Sequence, residues 1–297
     1  MLIYPEGSDS ALRSDLIVRA VLRSDLTPMP QTVELELRDT LDTEPIANGS
    51  KIKVGREEAE FLIIKNSPGG DSGRTQGDRP VKTRKLVGIL ASCAAITQRT
   101  QRSIVRYGAS LGEIYRACGA QVTIEQDFTV GVFACFKGMT PSFEIAKALQ
   151  EEAGALVLNE GKVAFRRLGE MLDQEPVATL REDSTQGVDS EFLERHKVPF
   201  AFSTDAAGVH IATRAEVGRG VMYRPRADTR ILNNLSTALI LRRKARSDFA
   251  PHLMAGMRID IAGRPFAVIT AAHVVDGGAD GGGGQQYSQL WLGEVVK

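Results

Sequence analysis

The sequence predicts a mainly β protein in which two similar β-barrel domains flank a small α+β insertion. Three observations predict this class. Stretches with period-two alternation occupy both ends of the 297-residue chain, helical patterning is confined to its middle, and the two ends repeat one another in order. The first copy reads TVELELRD, ANGSKIKVG and EFLIIKN, followed by a Gly-rich stretch. The second reads STALILRR, MAGMRIDIA and PFAVITA, followed by another. Glu34 precedes Ala238 by 204 residues, Gly49 precedes Gly256 by 207, and Phe61 precedes Phe266 by 205. Ordered blocks at nearly constant spacing mark one structural unit used twice. The expected boundaries are 1–108 for the first barrel, 109–198 for the insertion and linker, and 199–297 for the second barrel.

Residues 16–38 read as two strands. Leu16, Val18, Ala20 and Leu22 alternate, and Thr27–Pro30 break the run because proline has no N–H to give a ladder. Val33, Leu35 and Leu37 then take one face and Glu34, Glu36 and Arg38 the other, the pattern of a half-buried strand. Asn48-Gly49 is a turn signal. Ile52 and Val54 alternate with Lys51 and Lys53, and Phe61–Ile64 is a short apolar strand. The stretch NSPGGDSGRTQGDRP at 66–80 is too polar for a core and is expected to be a mobile loop. Residues 81–107 are expected to close the barrel.

The middle has helical signals. Ser110 with Glu113 forms a capping-box pattern, Leu111, Ile114, Tyr115 and Cys118 share one face, and Gly119 stops the helix. A second helix starts at Thr140-Pro141 and is expected to stop at Gly154. ALVLNEGKVAFRRL reads as a hairpin turning near Asn159–Gly161. Residues 172–196 are acidic and polar, a linker with a short helix around Glu191–Arg195.

From Pro199 the β pattern resumes, at Val209 and Ile211 and then at Val221–Tyr223. Leu239 and Leu241 echo Leu35 and Leu37, but Ala238 and Ile240 make this strand apolar on both faces. Such a strand lies beneath another layer or meets another subunit. Ala238, Leu239, Ile240 and Leu241 are therefore candidate contact residues. So are Gly69, Gly70, Gly281 and Gly282, in the two Gly-rich stretches 66–80 and 276–286, which occupy corresponding places in the copies.

Composition narrows the function. The chain has 37 basic and 37 acidic residues, and by thirds its net charge runs +2 over 1–108, −6 over 109–190 and +4 over 191–297. No global basic field invites nucleic acid. The longest apolar run, LVGILASCAAI, is about half the ~20 residues of a membrane helix. Cys93, Cys118 and Cys135 lack a Cys-x-x-Cys pair and read as packed thiols. GDSG at Gly70–Gly73 and TAAH at Thr270–His273 imitate serine-protease segments. That chemistry needs a hydroxyl against an imidazole oriented by a carboxylate, with fixed oxyanion donors. Here Ser72 precedes His273 by about 200 residues, against the family's order, and the two fragments fall in different modules. A serine hydrolase is the distant alternative. His196, His210 and His252 lack ligand-spaced partners, Glu151-Glu152 reads as a solvated helix face, and Arg242, Arg243, Lys244 and Arg246 read as a solvated or subunit-contact surface. No catalytic, metal or cofactor residues are expected.

The arrangement resembles the baseplate hub family of tailed phages, whose fold also forms the hub half of type VI secretion spikes. The resemblance rests on GMTPSFEIAKALQEEAGALVLNEGKVAFRRL at Gly138–Leu168 and on HLMAGMRIDIAGRPFAVITAAHVV at His252–Val275. In the family a helix leading into a hairpin follows the first barrel, and a Gly turn enters two short strands of the second. The resemblance implies two tube-type barrels at about 12–107 and 200–297. It also implies a homotrimer whose six similar modules form a pseudo-sixfold ring joining the tail tube to a central spike. Implied partners are the chain itself, a tail tube or tube-initiator protein, a separate spike protein, and the tape measure protein. No cofactor, membrane or specific nucleic acid is implied. The implied location is the virion tail tip, after assembly in the host cytoplasm. A distal tail or tube-initiator ring, hexameric, is the nearest alternative.

Overall fold

The computed structural model describes residues 1–55, 59–76, 79–159, 161–188, 200–205, 207–212, 220–225, 227–277 and 284–296. The chain is mainly β, as its alternating patterns predict. Strands β1 (Ile3–Pro5), β2 (Ile17–Asp25), β3 (Gln31–Arg38), β4 (Lys51–Val54), β5 (Ala59–Gln76) and β6 (Arg79–Leu90) make the first module. The middle contains β7 (Ile104–Ser110), α1 (Leu111–Ala117), β8 (Ile124–Glu125), β9 (Thr129–Cys135), α2 (Pro141–Glu151), β10 (Gly154–Asn159), β11 (Lys162–Arg167) and α3 (Leu168–Leu172). Next come β12 (Ala178–Leu180), β13 (Thr185–Gly187), β14 (Phe200–Thr204), β15 (His210–Ala212), β16 (Val221–Tyr223) and α4 (Thr229–Leu235). The second module holds β17 (Ala238–Asp248), β18 (Arg258–Ile261), β19 (Arg264–Asp276) and β20 (Gln285–Val296).

The two modules share one strand order. Neighbours run β4-β5-β6-β3 in the first and β18-β19-β20-β17 in the second, and both sets belong to a single twelve-stranded sheet. The registers agree residue by residue. Gly49 donates its N–H to the Ile63 carbonyl at 2.8 Å, and Gly256 donates to Val268 at 2.8 Å. Ile52 lies opposite Phe61, and Ile259 opposite Phe266. Each long strand has a bulge just beyond, between Ile63 and Lys65 and between Val268 and Thr270. Both turn glycines adopt a left-handed φ, +88° at Gly49 and +87° at Gly256, where a side chain would be strained. The spacings of 207 and 205 residues are thus structural equivalences.

The third spacing is corrected. Leu35 faces Leu86, and the residue in the matching position opposite Leu290 is Ala245. Strand β17 therefore aligns with β3 at 210 residues, and Leu239 and Leu241 do not occupy the places of Leu35 and Leu37. The 11-residue β17 is longer than β3 and carries a bulge between Leu241 and Arg243, which offsets the alternation from the ladder.

Residues 66–76 are also corrected, because β5 runs through them to Gln76, paired with β6. Backbone pairing needs no apolar side chains, and bulges after Ile63, Pro68 and Asp71 absorb the Pro and Gly residues. The acidic linker likewise contributes strands. Strand β12 pairs in parallel with β18, and β13 pairs antiparallel with β17. The expected helix at Glu191–Arg195 lies outside the described residues.

Two separate cores support the modules. Val33, Leu35, Leu37, Ile52, Phe61, Ile63 and Leu86 pack in the first. Ala245, Ile259, Ile261, Phe266, Val268, Leu290 and Leu292 pack in the second. Each buried side chain of this size contributes about 1.5–3 kcal/mol relative to exposure. The insertion has its own core, which includes Leu111, Ile114, Tyr115, Ile145, Leu149, Leu156 and Phe165. Ser110 and Glu113 make the expected capping box. Helix α2 starts at Pro141 as expected, but its stop uses Ala153, at φ +46°, one residue before Gly154.

Residues 200–235 form a small unit of their own, not the opening of the second module. Strands β15, β14 and β16 make a separate sheet, and Ala201, Ala227 and Leu232, the last on α4, form its core. An ionic clasp ties this unit to α2. Glu152, only 8% exposed, accepts Nη2 of Arg167 at 2.9 Å and Nη1 of Arg230 at 2.7 Å, and Glu151 pairs with Arg224. The pair Glu151-Glu152 is thus not the solvated face its sequence suggests. Side chains from 15 to 78 residues away supply the compensating charge, and local patterning does not register them.

Candidate assembly interface

Strand β2 carries the first module into the second. On one side it pairs with β3, and on the other with β19, Arg19 through Asp25 facing Asp276 through Thr270. Ala255 donates its N–H to Ser24 Oγ at 2.9 Å, and Thr270 Oγ1 donates to Asp25 at 2.6 Å, so buried polar bonds lock this junction. Gly277 continues it, donating its N–H to the Val18 carbonyl at 2.9 Å. A Cβ on Gly277 would stand 2.4 Å from the Ile17 carbonyl oxygen, so the close approach requires glycine.

The sheet ends differently at its two limits. Beyond Lys65, β5 has β6 on one side and, among the described residues, no strand on the other. Strand β13 pairs with β17 and, among the described residues, with no other strand. Gly69 and Gly70 lie on the open stretch of β5, at its bulge, and a Cβ on Gly69 would meet Thr83 Oγ1 at 2.1 Å. Gly281 and Gly282 lie outside the described residues.

The structure places Ala238, Leu239, Ile240 and Leu241 on β17, paired with β20 from Val296 to Gly293. Leu239 packs against the cluster formed by Ala155, Val157, Ala164, Met171 and Ala267, and Ile240 is buried at 5%. A layer from the insertion therefore accounts for much of this strand's two-faced apolar pattern. Three members of the basic cluster are likewise engaged within the chain. Arg242 meets Glu294 at 3.3 Å, Arg243 meets Glu182 at 2.7 Å, and the Arg246 guanidinium lies 3.7 Å from the centre of the Tyr287 ring. The sequence does not signal the edge strand β13, because three residues, Thr185–Gly187, are too few to show a period.

Across β2, β3, β5 and β6 one face of the sheet carries charged side chains. Arg19, Glu34, Glu36, Lys65 and Lys85 border an open depression of about 330 Å³ with charges of both signs. The protease-like fragments stay apart, β5 and β19 being separated in the sheet by β6, β3 and β2. His273 instead meets Ser288, Nδ1 lying 2.8 Å from Oγ, and that oxygen accepts the Ala250 N–H at 2.8 Å. The imidazole is 2% exposed, and burial pulls it down to about 4. A neutral, enclosed imidazole of this kind is a core polar contact. Burial raises the Cys93 and Cys118 thiols to about 11 and raises Cys135 as well, as expected for packed cysteines. Among the described residues, no group of three or more His, Cys, Asp or Glu is placed to hold a metal ion, and no helix is long and apolar enough to cross a membrane.

By sequence, no family model and no curated protein matches the chain. Solved structures do. A 43 kDa tail protein of prophage MuSo2 from Shewanella oneidensis superposes with a TM-score of 0.66 at 12% identity, over 98% of this chain and 97% of that one. A tail protein from Neisseria meningitidis MC58 gives 0.62 at 12% identity, over 99% and 95%. An Escherichia coli component of the type VI secretion system, described as structurally similar to the T4 bacteriophage tail proteins gp27 and gp5, gives 0.56 at 8% identity, over 100% and 77%. The chain has the fold of phage tail proteins.

Proposed function

We propose that this chain is a structural hub of a phage tail, a trimer whose six modules form a pseudo-sixfold ring between the tail tube and a central spike. One observation carries this reading: a single strand order occurs twice in one continuous sheet, with matching registers at Gly49 and Gly256 and at Phe61 and Phe266. A chain with two equivalent modules presents sixfold-like contacts when three copies close into a ring. Such a ring continues a sixfold tube on one face and seats a threefold spike on the other. Its partners are a tube or tube-initiator protein, a spike protein and the tape measure protein, at the tail tip of the virion. The work done is symmetry matching, with no bond made or broken. The fold shared with phage tail proteins and with a type VI secretion component supports this reading.

Light scattering of the purified protein, with negative-stain images, tests it. The expected species has three times the chain mass of 32.2 kDa and six lobes. A hexamer of chains replaces the hub with a distal tail or tube-initiator ring. A monomer that stays monomeric with tube and spike proteins added overturns the ring.

A further inference from the structure

We infer that neighbouring copies of this chain join by strand addition, the open edge of β13 pairing with the open edge of β5 in the next copy. The inference rests on the ring reading above and specifies its contact. The chain contains its own template, because β2 and β13 are counterparts. Ala20 faces Leu35 on β3, and Thr185 faces Ala245, the counterpart of Leu35, on β17. Strands β5 and β19 are counterparts by their shared bulge. Within the chain β2 is paired with β19, whereas β13 and the stretch of β5 beyond Lys65 hold the corresponding places on edges that are open among the described residues. Repeating the internal junction between copies seats β13 of one chain on β5 of the next.

The template also sets the register. Leu22 faces His273 and Val21 faces Val274. In the ladders, Pro68 is the counterpart of His273 and Gly70 that of Val274, with Gly69 in the bulge between them. Gly187 is then expected opposite Pro68, Gln186 opposite Gly70, and Val188 opposite Ser67. Val188 already extends β13, donating its N–H to the Arg242 carbonyl at 2.8 Å.

Two further observations favour a second copy as the occupant. Among the described residues, the 18-residue β5 is paired on one side only beyond Lys65, and such a row of open backbone groups is a standing template for another strand. At the internal junction, Gly277 is required where the β2 backbone comes close, and the open stretch of β5 likewise carries glycines, at 69, 70 and 73. The contact is head-to-tail, so it closes into a ring only if the rotation per copy is a whole fraction of a turn.

Cysteine pairing tests the assignment. Residues directly opposite in an antiparallel pair have Cβ atoms about 4.5–5.5 Å apart, close enough for a disulfide with slight adjustment. Chains carrying Ser67→Cys alone are mixed with chains carrying Val188→Cys alone and oxidised mildly, with each variant by itself as control. The pair Pro68→Cys and Gly187→Cys, on the other face of the strand, repeats the test should either first variant misfold. A disulfide dimer is expected in the mixture and not in the controls. The double variant Ser67→Cys/Val188→Cys is expected to give a non-reducing ladder that ends at three chains. Trimeric particles without the mixed disulfide in either pair overturn the edge assignment and leave the hub reading standing. A ladder ending at six on hexameric particles keeps the strand junction and overturns the threefold count. Monomers that form no disulfides even with tube and spike proteins added overturn both.

Discussion

Replacing each of the twin glycines by alanine separates backbone strain from packing between module and insertion. Gly49 and Gly256 make the same turn at nearly the same φ, +88° and +87°. Forcing a residue with a Cβ into that region costs about 1–2 kcal/mol, and this cost is common to both sites. The surroundings differ. A Cβ at Gly49 has nothing within 4 Å, whereas one at Gly256 would stand 2.2 Å from Val157 Cγ1 and 3.6 Å from Leu26 Cδ2. Val157, on β10, is buried at 3% and, being β-branched, has little rotamer freedom to yield. Overpacking of this kind adds about 1–3 kcal/mol. Gly49→Ala is therefore expected to lose about 1–2 kcal/mol and Gly256→Ala about 2–5 kcal/mol. Urea unfolding followed by fluorescence and circular dichroism gives both values from the midpoints. Equal losses would refute the argument, because the contact of β10 with the second module would then carry no weight.

Two further outcomes are expected. His273 has its pKa lowered from the ordinary 6.5 to about 4 by burial, so the unfolded chain binds a proton in that interval that the folded chain does not. Its contribution is fully present above pH 6.5 and falls away as the pH drops toward 4, about 3 kcal/mol in all. Urea midpoints measured from pH 7 to pH 4.5 should fall in the wild type and fall less steeply in His273→Gln; parallel slopes would exclude His273 as the source. Glu152→Ala removes the charge-assisted bonds from Arg167 and Arg230 and is expected to cost about 2 kcal/mol. Because the Arg230 bond holds α4 against the end of α2, trypsin should then cut the 200–235 unit faster than the rest of the chain; an unchanged cleavage pattern would show that the clasp does not hold the unit.

The parts of the fold legible in the sequence are those that local physics marks. Strands β3 and β4 show period-two burial, α1 shows its capping box, and the turn glycines at 49 and 256 show the repeat. Where pairing comes from elsewhere in the chain, the sequence misleads. Residues 66–76 look like a loop because they lack apolar alternation, yet β6 supplies a hydrogen-bonded partner along them. Thr185–Gly187 look like linker because three residues carry no period, yet β17 recruits them. Leu239 and Leu241 imitate Leu35 and Leu37 because alternation survives a shift of register, which only the partner strand fixes.

The candidate site divides in the same way. Gly69 and Gly70 were legible as special positions, because Gly beside Pro interrupts a strand pattern whatever surrounds it. That they lie on an open edge was not legible, because an edge is defined by which strands are absent from one side.

By itself, then, the sequence determined the mainly β class, the duplication, and the absence of serine-protease order, since each is written in residue types and spacings along one dimension. The tertiary structure alone decided that β2 bridges the modules, that β13 and the stretch of β5 beyond Lys65 lie on edges open among the described residues, and that Glu152 is held by Arg167 and Arg230. Those are contacts between residues 15 to about 250 positions apart, chosen by which backbone groups and charges find partners when the chain closes on itself, and no local pattern encodes that choice.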